Sequence, residues 1–513
     1  MQRGLSWLGL GAVFAVFAAT AFLFVPRLGI EADEAMIANG IYAHGAPLYS
    51  WKFGGAEVPV MLISYFGALK TWIYNPYFAV WPPSPVSLRL PAVLAGVVTI
   101  WLFFNLLDRV AGRQAAWIGA LLLATDSTFL LVETTDFGFV ALQFVLKLSA
   151  ILLLLRYDRD GNFVYLAGGF FLLGLALWDK AVFLWVLGGL AVATLVVFPR
   201  NVRRHLTKRN LAVAVAFLVL GALPLLIYNV ARPFETLRAN VKVASEPLLV
   251  KPILLSRSID GSALFGFVTA ADSPPRPRMP PRWAGGPRRN LILPTLAAAA
   301  LAALTFWRHR VARLVLFCLV ASSFTWLLML FTAGAGGAVQ HTILLWPFPL
   351  AIIAAAMARL PAGWAGVVTA LLCLSNLAAT SEYYAELINN GPAIRWTDAI
   401  GPLERYLSVS KADRIMVADW GIIETLSLLS EGRLPVYSAE ATDSAVLDRM
   451  ITNSGQVYVA HTPEFTFEPT IRARLEQRAR NNGFEVERIT TISDSHERPT
   501  FEVFRFRSSG ERK

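Results

Sequence analysis

The chain has 513 residues, 56% of them hydrophobic and only 16% charged, against roughly 25% charged in soluble proteins, which excludes an ordinary soluble enzyme and indicates a polytopic membrane protein. Its net charge of +11 comes mostly from short loops between apolar runs, where Lys and Arg set orientation and meet anionic lipid, so nucleic acid is excluded as a partner. The two cysteines, Cys318 and Cys373, each lie inside an apolar run, which argues against a disulfide or a structural zinc site.

The N-terminal stretch MQRGLSWLGLGAVFAVFAATAFLFVPRLG has a longer apolar part than a signal-peptide core and is followed by further spans, so it is expected to remain as the first helix. Directly after it, GIEADEAMIANGIYAHG packs Glu31, Asp33 and Glu34 into four positions. With the first run at 5–25, further apolar runs at 88–107, 115–132, 137–155, 163–178, 181–198, 211–230, 290–307, 312–333, 340–358 and 361–380 predict about eleven spanning helices.

Alternate short loops differ in basic residues. One set holds Arg109 and Arg113, then Arg156 and Arg159, then Arg200, Arg203, Arg204, Lys208 and Arg209, then Arg308, Arg310 and Arg313, then Arg359. The opposite set holds Lys180 alone. Basic residues near span ends stay cytoplasmic, which predicts a cytoplasmic N-terminus and places the carboxylate cluster outside. Two long outer loops follow, 26–87 and 231–289; the second includes PPRPRMPPRWAGGPRR, read as a flexible linker.

From Arg414 onward the pattern changes. RIMVADW, RLPVYSA, QVYVAHT, FEVERITTI and TFEVFRF alternate as strands, while GIIETLSLLSEG, TDSAVLDRMI and PTIRARLEQRARNNG read as helices. The expected organisation is a membrane-embedded α-helical domain over 1–384 and a small extracytoplasmic α/β domain over 385–513. Gly421, between a strand and a helix in VADWGIIE, is a weak hint of an anion site.

Several charged residues are candidates for chemistry. Asp33 and Glu34 would serve at the start of an interfacial helix, EADEAMIANGIYAHG, where acids complement the helix dipole; alternatively, a carboxylate there would act as general base toward an acceptor hydroxyl. Asp136, three residues after Glu133 in LLVETTDFGFVALQF, lies close to hydrocarbon, where an acid is costly and a functional role is the default; capping the following helix is the alternative. Lys180, beside Asp179 in GLALWDKAVFLW, either forms a local ion pair or neutralises a lipid phosphate. His341 opens the tenth span in AVQHTILLWPFPL, as a cap or as a ligand.

Taken in order, the acidic pair, the long first loop, RLPAVLAGVVTIWLFFNLLDRVAGRQAAWIGALLLATDSTFLL, Asp136, GLALWDKAVFLW and HTILLWPFPLAIIAA resemble a family. It is the polyprenyl-phosphate-sugar-dependent glycosyltransferases of the GT-C class, the group of protein O-mannosyltransferases and bacterial lipid A aminoarabinose transferases. The resemblance covers residues 5–360. It implies that Asp33 is the catalytic base, that Asp136 positions acceptor or donor, and that Lys180 binds the lipid phosphate. Two positions depart from the family's pattern: Met36 stands where an arginine is usual, and Val58 where a lysine is usual. Either Lys52, Arg89 or His341 supplies the missing charge, or the donor lipid is held differently. Glu57 keeps an acidic position that in some members lies near a metal, and a divalent cation stays open, because one carboxylate cannot establish it.

The implied reaction moves a sugar from a polyprenyl-phosphate donor to a hydroxyl on a lipid, glycan or protein acceptor, with inversion, on the extracytoplasmic side of a membrane expected to be the bacterial inner membrane. Two other functions remain open from the residues alone. A transporter or flippase would place its charges at the membrane midplane and show inverted repeats, and no clear repeat is visible. A polysaccharide polymerase or ligase would use a large outer loop, for which 231–289 is long enough.

Overall fold

The computed structural model describes residues 2–42, 47–243, 247, 249–270, 288–306, 309–410 and 412–509. Helix forms within each of the eleven apolar runs, though 115–132 and 340–358 are each broken into separate helices. The first forms Gln2–Phe24, and the second forms Pro85–Val110, whose start is fixed by a capping box in which Ser84 accepts from the Ser87 N–H and Ser87 accepts in return. Among the described residues, six helices are long and apolar enough to cross a membrane, or eight if each of two sharply bent pairs is one span; Phe163–Asp179 and Ile292–Thr305 are shorter apolar helices. Leu94, Val215, Leu220 and Leu371 project outward from these helices, an apolar surface that only lipid can cover. The chain is an integral membrane protein.

Helix pairs approach closely where residues are small. A Cβ on Gly174 would lie 2.3 Å from the Leu218 carbonyl oxygen, and one on Gly221 would lie 2.2 Å from that of Phe171. The helices Phe163–Asp179 and Lys208–Ala231 therefore cross backbone to backbone, the packing that substitutes for hydrophobic driving force in lipid.

One bend matters for the site. The helices Arg113–Thr125 and Ser127–Thr135 meet at 60°. Asp126 sits at the break, accepting from the Phe129 N–H at 2.8 Å and the Trp346 indole at 3.2 Å. The second half ends at Asp136, in the left-handed region at φ 44°, followed by Gly138 at 70° and Phe139 at 55°. Gly138 has no substitute here, because a Cβ would lie 2.4 Å from Gln340.

The segment 26–87 is more ordered than an outer loop need be. It holds an antiparallel sheet of β1 (Tyr49–Phe53), β2 (Ala56–Ile63) and β3 (Phe66–Gly67), then the helix Leu69–Phe78. The expected interfacial helix is two separate turns instead, Ala32–Ala35 and Ala38–Ile41. Segment 231–289 also contains helices, Glu235–Asn240 and Val250–Ile259. Most of its Pro-rich stretch, read as a linker, lies outside the described residues.

All five expected C-terminal strands form: β4 (Arg414–Val417), β5 (Val436–Ser438), β6 (Gln456–His461), β7 (Phe484–Ser493) and β8 (Pro499–Ser508), in the order β5-β4-β6-β8-β7. β4 runs parallel to β5 and β6, and β8 runs antiparallel to β6 and β7. Alternation puts Ile415, Val417, Val459 and Val503 against Leu403, Leu407 and Leu426, and Met416, Tyr458 and Phe504 against Leu447 and Leu475 on the other face. Helices thus cover both faces. Leu428, from the helix Ile423–Leu429, packs with Ile30, Ala35 and Ile37, so this unit rests on the carboxylate segment itself.

Candidate active site

The three acids of the first segment do three different things. Glu31 is the N-cap of the turn Ala32–Ala35, accepting the Asp33 N–H at 2.6 Å, and Glu34 accepts the Glu31 N–H at 3.1 Å. This reciprocal pair is a capping box, and Asp33 and Glu34 both lie in the first turn behind the Glu31 cap, where the helix-start reading put them. Glu34 is also closed off by Arg89, whose Nε donates to it at 3.1 Å with both side chains fully buried. Asp33 is half-buried, and among the described residues its carboxylate has no hydrogen bond or ion pair.

Burial pushes the Asp33 carboxyl above the usual range, while the charges of Lys180 and then Arg395 pull it back. Tyr65 stands close enough that burial and the Asp33 charge together push its phenol up to about 12. The site therefore presents one uncommitted carboxylate that feels the charges of Lys180 and Arg395.

Lys180 is buried in the turn after Phe163–Asp179. Its Nζ donates to the Gly138 carbonyl at 2.6 Å and the Gln340 carbonyl at 3.3 Å, leaving one N–H, and it lies 5.1 Å from the Phe66 ring centre. The local Asp179–Lys180 ion pair does not form, since Asp179 accepts from Gln143 at 2.6 Å instead. Burial lowers the Lys180 ammonium to about 7, with Asp33, Asp179 and Asp136 opposing the shift.

Asp136 is at once a cap and an ion-pair partner. Its Oδ1 accepts the N–H groups of Val140 and Ala141 at 2.9 Å each, starting the helix Ala141–Asp160, while Oδ2 pairs with Lys70 at 2.7 Å. Lys70 is 2% exposed and 4.3 Å from the Phe139 ring centre. Sequence reasoning missed Lys70; the available signal was a lone lysine in the aromatic stretch ALKTWIYNPYF.

The remaining candidates occupy different places. Arg89 donates to the carbonyls of Val25 and Leu28 at 2.8 Å each and of Gly29 at 2.6 Å, besides Glu34; its fork is fully used inside the protein. His341 is buried, with neither ring nitrogen partnered among the described residues. Lys52 and Glu57 face each other across the exposed end of the β1–β2 hairpin. Among the described residues no group of three or more His, Cys, Asp or Glu could hold a metal, and Glu57 stands in register with Lys52, not with a second carboxylate. Gly421 approaches Ala32, at 3.7 Å from where its Cβ would be, and the helix after it has only seven residues; its place is a contact between the two parts of the fold.

Arg395, also missed, follows the last membrane helix, Ala362–Asn390. The Gly29 N–H donates to the Trp396 carbonyl at 2.7 Å, and a Cβ on Gly29 would lie 1.8 Å from the Thr397 carbonyl oxygen. Only glycine permits this approach, which brings Arg395 to 3.6 Å from Glu31.

Residues 68–228 match the sequence model of a family described as dolichyl-phosphate-mannose-protein mannosyltransferase. Lys70, Arg89, Asp136 and Lys180 lie in that segment; Asp33 and Arg395 do not. Among solved structures, the chain is similar to ArnT from Cupriavidus metallidurans, bound to undecaprenyl phosphate and in the apo state, each at 13% identity, 98% coverage of both chains and a TM-score of 0.62. It is also similar to the archaeal oligosaccharyltransferase AglB from Archaeoglobus fulgidus in complex with an inhibitory peptide and a dolichol-phosphate, at 11% identity, covering 98% of this chain and 75% of that one, with a TM-score of 0.49. No curated protein matches. The family match and the ArnT fold bear out the resemblance drawn from the residues and the glycosyltransferase class it implies.

Proposed function

We propose that this chain transfers a sugar from a polyprenyl phosphate to an acceptor hydroxyl on the extracytoplasmic side of the membrane, with inversion at the anomeric carbon. The observation that carries this reading is the Asp33 carboxylate, uncommitted among its acidic neighbours and influenced by the charges of Lys180 and Arg395. Asp33 takes the hydroxyl proton as the acceptor oxygen bonds to the anomeric carbon. The bond from that carbon to the phosphate oxygen breaks, and its electron pair leaves with the phosphate. Lys180, with one N–H to spare, stabilises that charge from a site that needs no reorganisation.

Asp136, fixed by Lys70 and a helix start, positions the reactants. Arg89 shapes the carboxylate segment from within and does not contact donor. No step is routed through Glu57 or a metal. The apolar helices, the basic short loops and the change from membrane helix to α/β unit after Asn390 support a cytoplasmic N-terminus and an extracytoplasmic α/β domain, as in a bacterial inner-membrane enzyme.

The test is transfer of label from defined polyprenyl-phosphate sugars by the purified protein, wild type against Asp33→Asn. Full turnover by the variant overturns the assignment of Asp33. Movement of labelled lipid across vesicles without transfer would favour a flippase.

A further inference from the structure

We propose that Arg395 forms a binding site for the donor's phosphate beside Asp33, and that the C-terminal α/β domain holds it there; this rests on the glycosyl-transfer reading above. The Arg395 side chain is 31% exposed, and its guanidinium has no hydrogen-bond acceptor among the described residues, only the looser contact with Glu31 at 3.6 Å. None of its five donors is taken up by a hydrogen bond among the described residues. Arg89, by contrast, spends its donors on three carbonyls and Glu34.

What holds Arg395 is aromatic. Its guanidinium carbon lies 4.8 Å from the ring centre of Phe267 and 5.5 Å from those of both Trp420 and Phe467. Rings engage a planar cation without using its N–H groups, so the donor edge stays available for the paired hydrogen bonds that suit phosphate. Phe267 in turn packs 4.8 Å from Phe137, the neighbour of Asp136, which ties this cage to the rest of the site.

Trp420 and Phe467 belong to the α/β domain, and one buried carboxylate fixes both. Asp419 accepts the N–H groups of Trp420 at 2.8 Å, Phe467 at 3.1 Å and Glu468 at 2.8 Å, and it contacts His461 Nδ1 at 2.9 Å. The two rings meet edge to face at 5.4 Å. Asp419, Trp420 and Phe467 are thus positioning residues for Arg395. Burial and the neighbouring Asp33 charge push the Glu31 carboxyl well above its ordinary range, and the Arg395 charge opposes that rise.

The test uses the purified full-length protein as wild type, Arg395→Gln, Arg395→Lys and Phe467→Leu, with polyprenyl-phosphate sugar and acceptor each varied in turn. Loss of a charged phosphate contact should raise the donor KM of Arg395→Gln about tenfold or more. The acceptor KM should stay within twofold. Arg395→Lys should recover part of that loss, and Phe467→Leu should show the same donor-only pattern, weaker. Binding of undecaprenyl phosphate alone should weaken in parallel. If Arg395→Gln misfolds, the lysine and leucine variants decide. A donor KM and kcat within twofold of wild type in those variants overturns the proposal, as does an effect confined to the acceptor KM, which would assign the phosphate to the acceptor. If wild type transfers nothing, or Asp33→Asn is fully active, the transfer reading itself fails. A wild type that transfers, with Asp33→Asn inactive and Arg395→Gln normal, defeats only the Arg395 site.

Discussion

Glu34 and Arg89 form an ion pair with neither side chain exposed, and this pair sets Glu34 apart from Asp33 within the first segment. Glu34 is held by Arg89 and by the Glu31 N–H. Asp33, one position earlier, is less buried, and its carboxylate has no hydrogen bond or ion pair among the described residues.

Glu34→Gln should therefore act on stability. Removing one partner leaves the buried Arg89 charge uncompensated, which costs about 3–5 kcal/mol. Thermal unfolding of the purified protein in detergent should shift clearly downward. An unchanged transition would mean that the pair is not what fixes this segment.

Asp33→Asn should act on turnover. Removal of a general base typically costs about 10²–10⁴-fold, and a half-buried side chain with no bonded partner can be replaced at little structural cost. The expected result is a large fall in kcat with an unshifted melting transition. Equal loss of both would make Asp33 a structural residue.

The rate should be bell-shaped in pH. Asp33 works ionised, and burial raises its pKa, so the acid limb of kcat/KM should lie above the ordinary aspartate value of about 4. Lys180 works protonated, and its ammonium is lowered to about 7, so activity should decline as pH rises through neutrality. Lys180→Gln should remove the alkaline limb. Because Lys180 also opposes the rise at Asp33, the same variant should move the acid limb to higher pH. A profile flat to pH 9 would exclude Lys180 as the charge that the reaction needs.

Lys70 and Asp136, buried and 2.7 Å apart, should couple. Asp136→Asn keeps an oxygen for the Val140 and Ala141 N–H groups but strands the Lys70 charge. Adding Lys70→Met should recover stability, so the double variant should unfold at a higher temperature than Asp136→Asn alone. Strict additivity would show that the two do not interact.

Local pattern carried most of the architecture. Apolar runs specified the membrane helices, and period-two alternation specified the five C-terminal strands, because both signals lie within a few neighbouring residues. Lys70 and the small sheet of Tyr49–Gly67 were harder to see. Their strands are short and mixed in polarity, and the lysine gains its meaning only from Asp136.

By itself, then, the sequence determined a polytopic helical protein with an appended α/β unit, and through the family resemblance it singled out Asp33, Asp136 and Lys180 as candidates for chemistry. Only the tertiary structure decided that Glu31 and Glu34 are consumed while Asp33 is free. Only it brought in Arg395, by way of the Gly29–Trp396 backbone contact. The physical reason is range: helix and strand periodicity is written in adjacent residues, whereas the partners of a carboxylate come from wherever the chain returns. Arg89 stands 55 residues from Glu34, and no local spacing records that return.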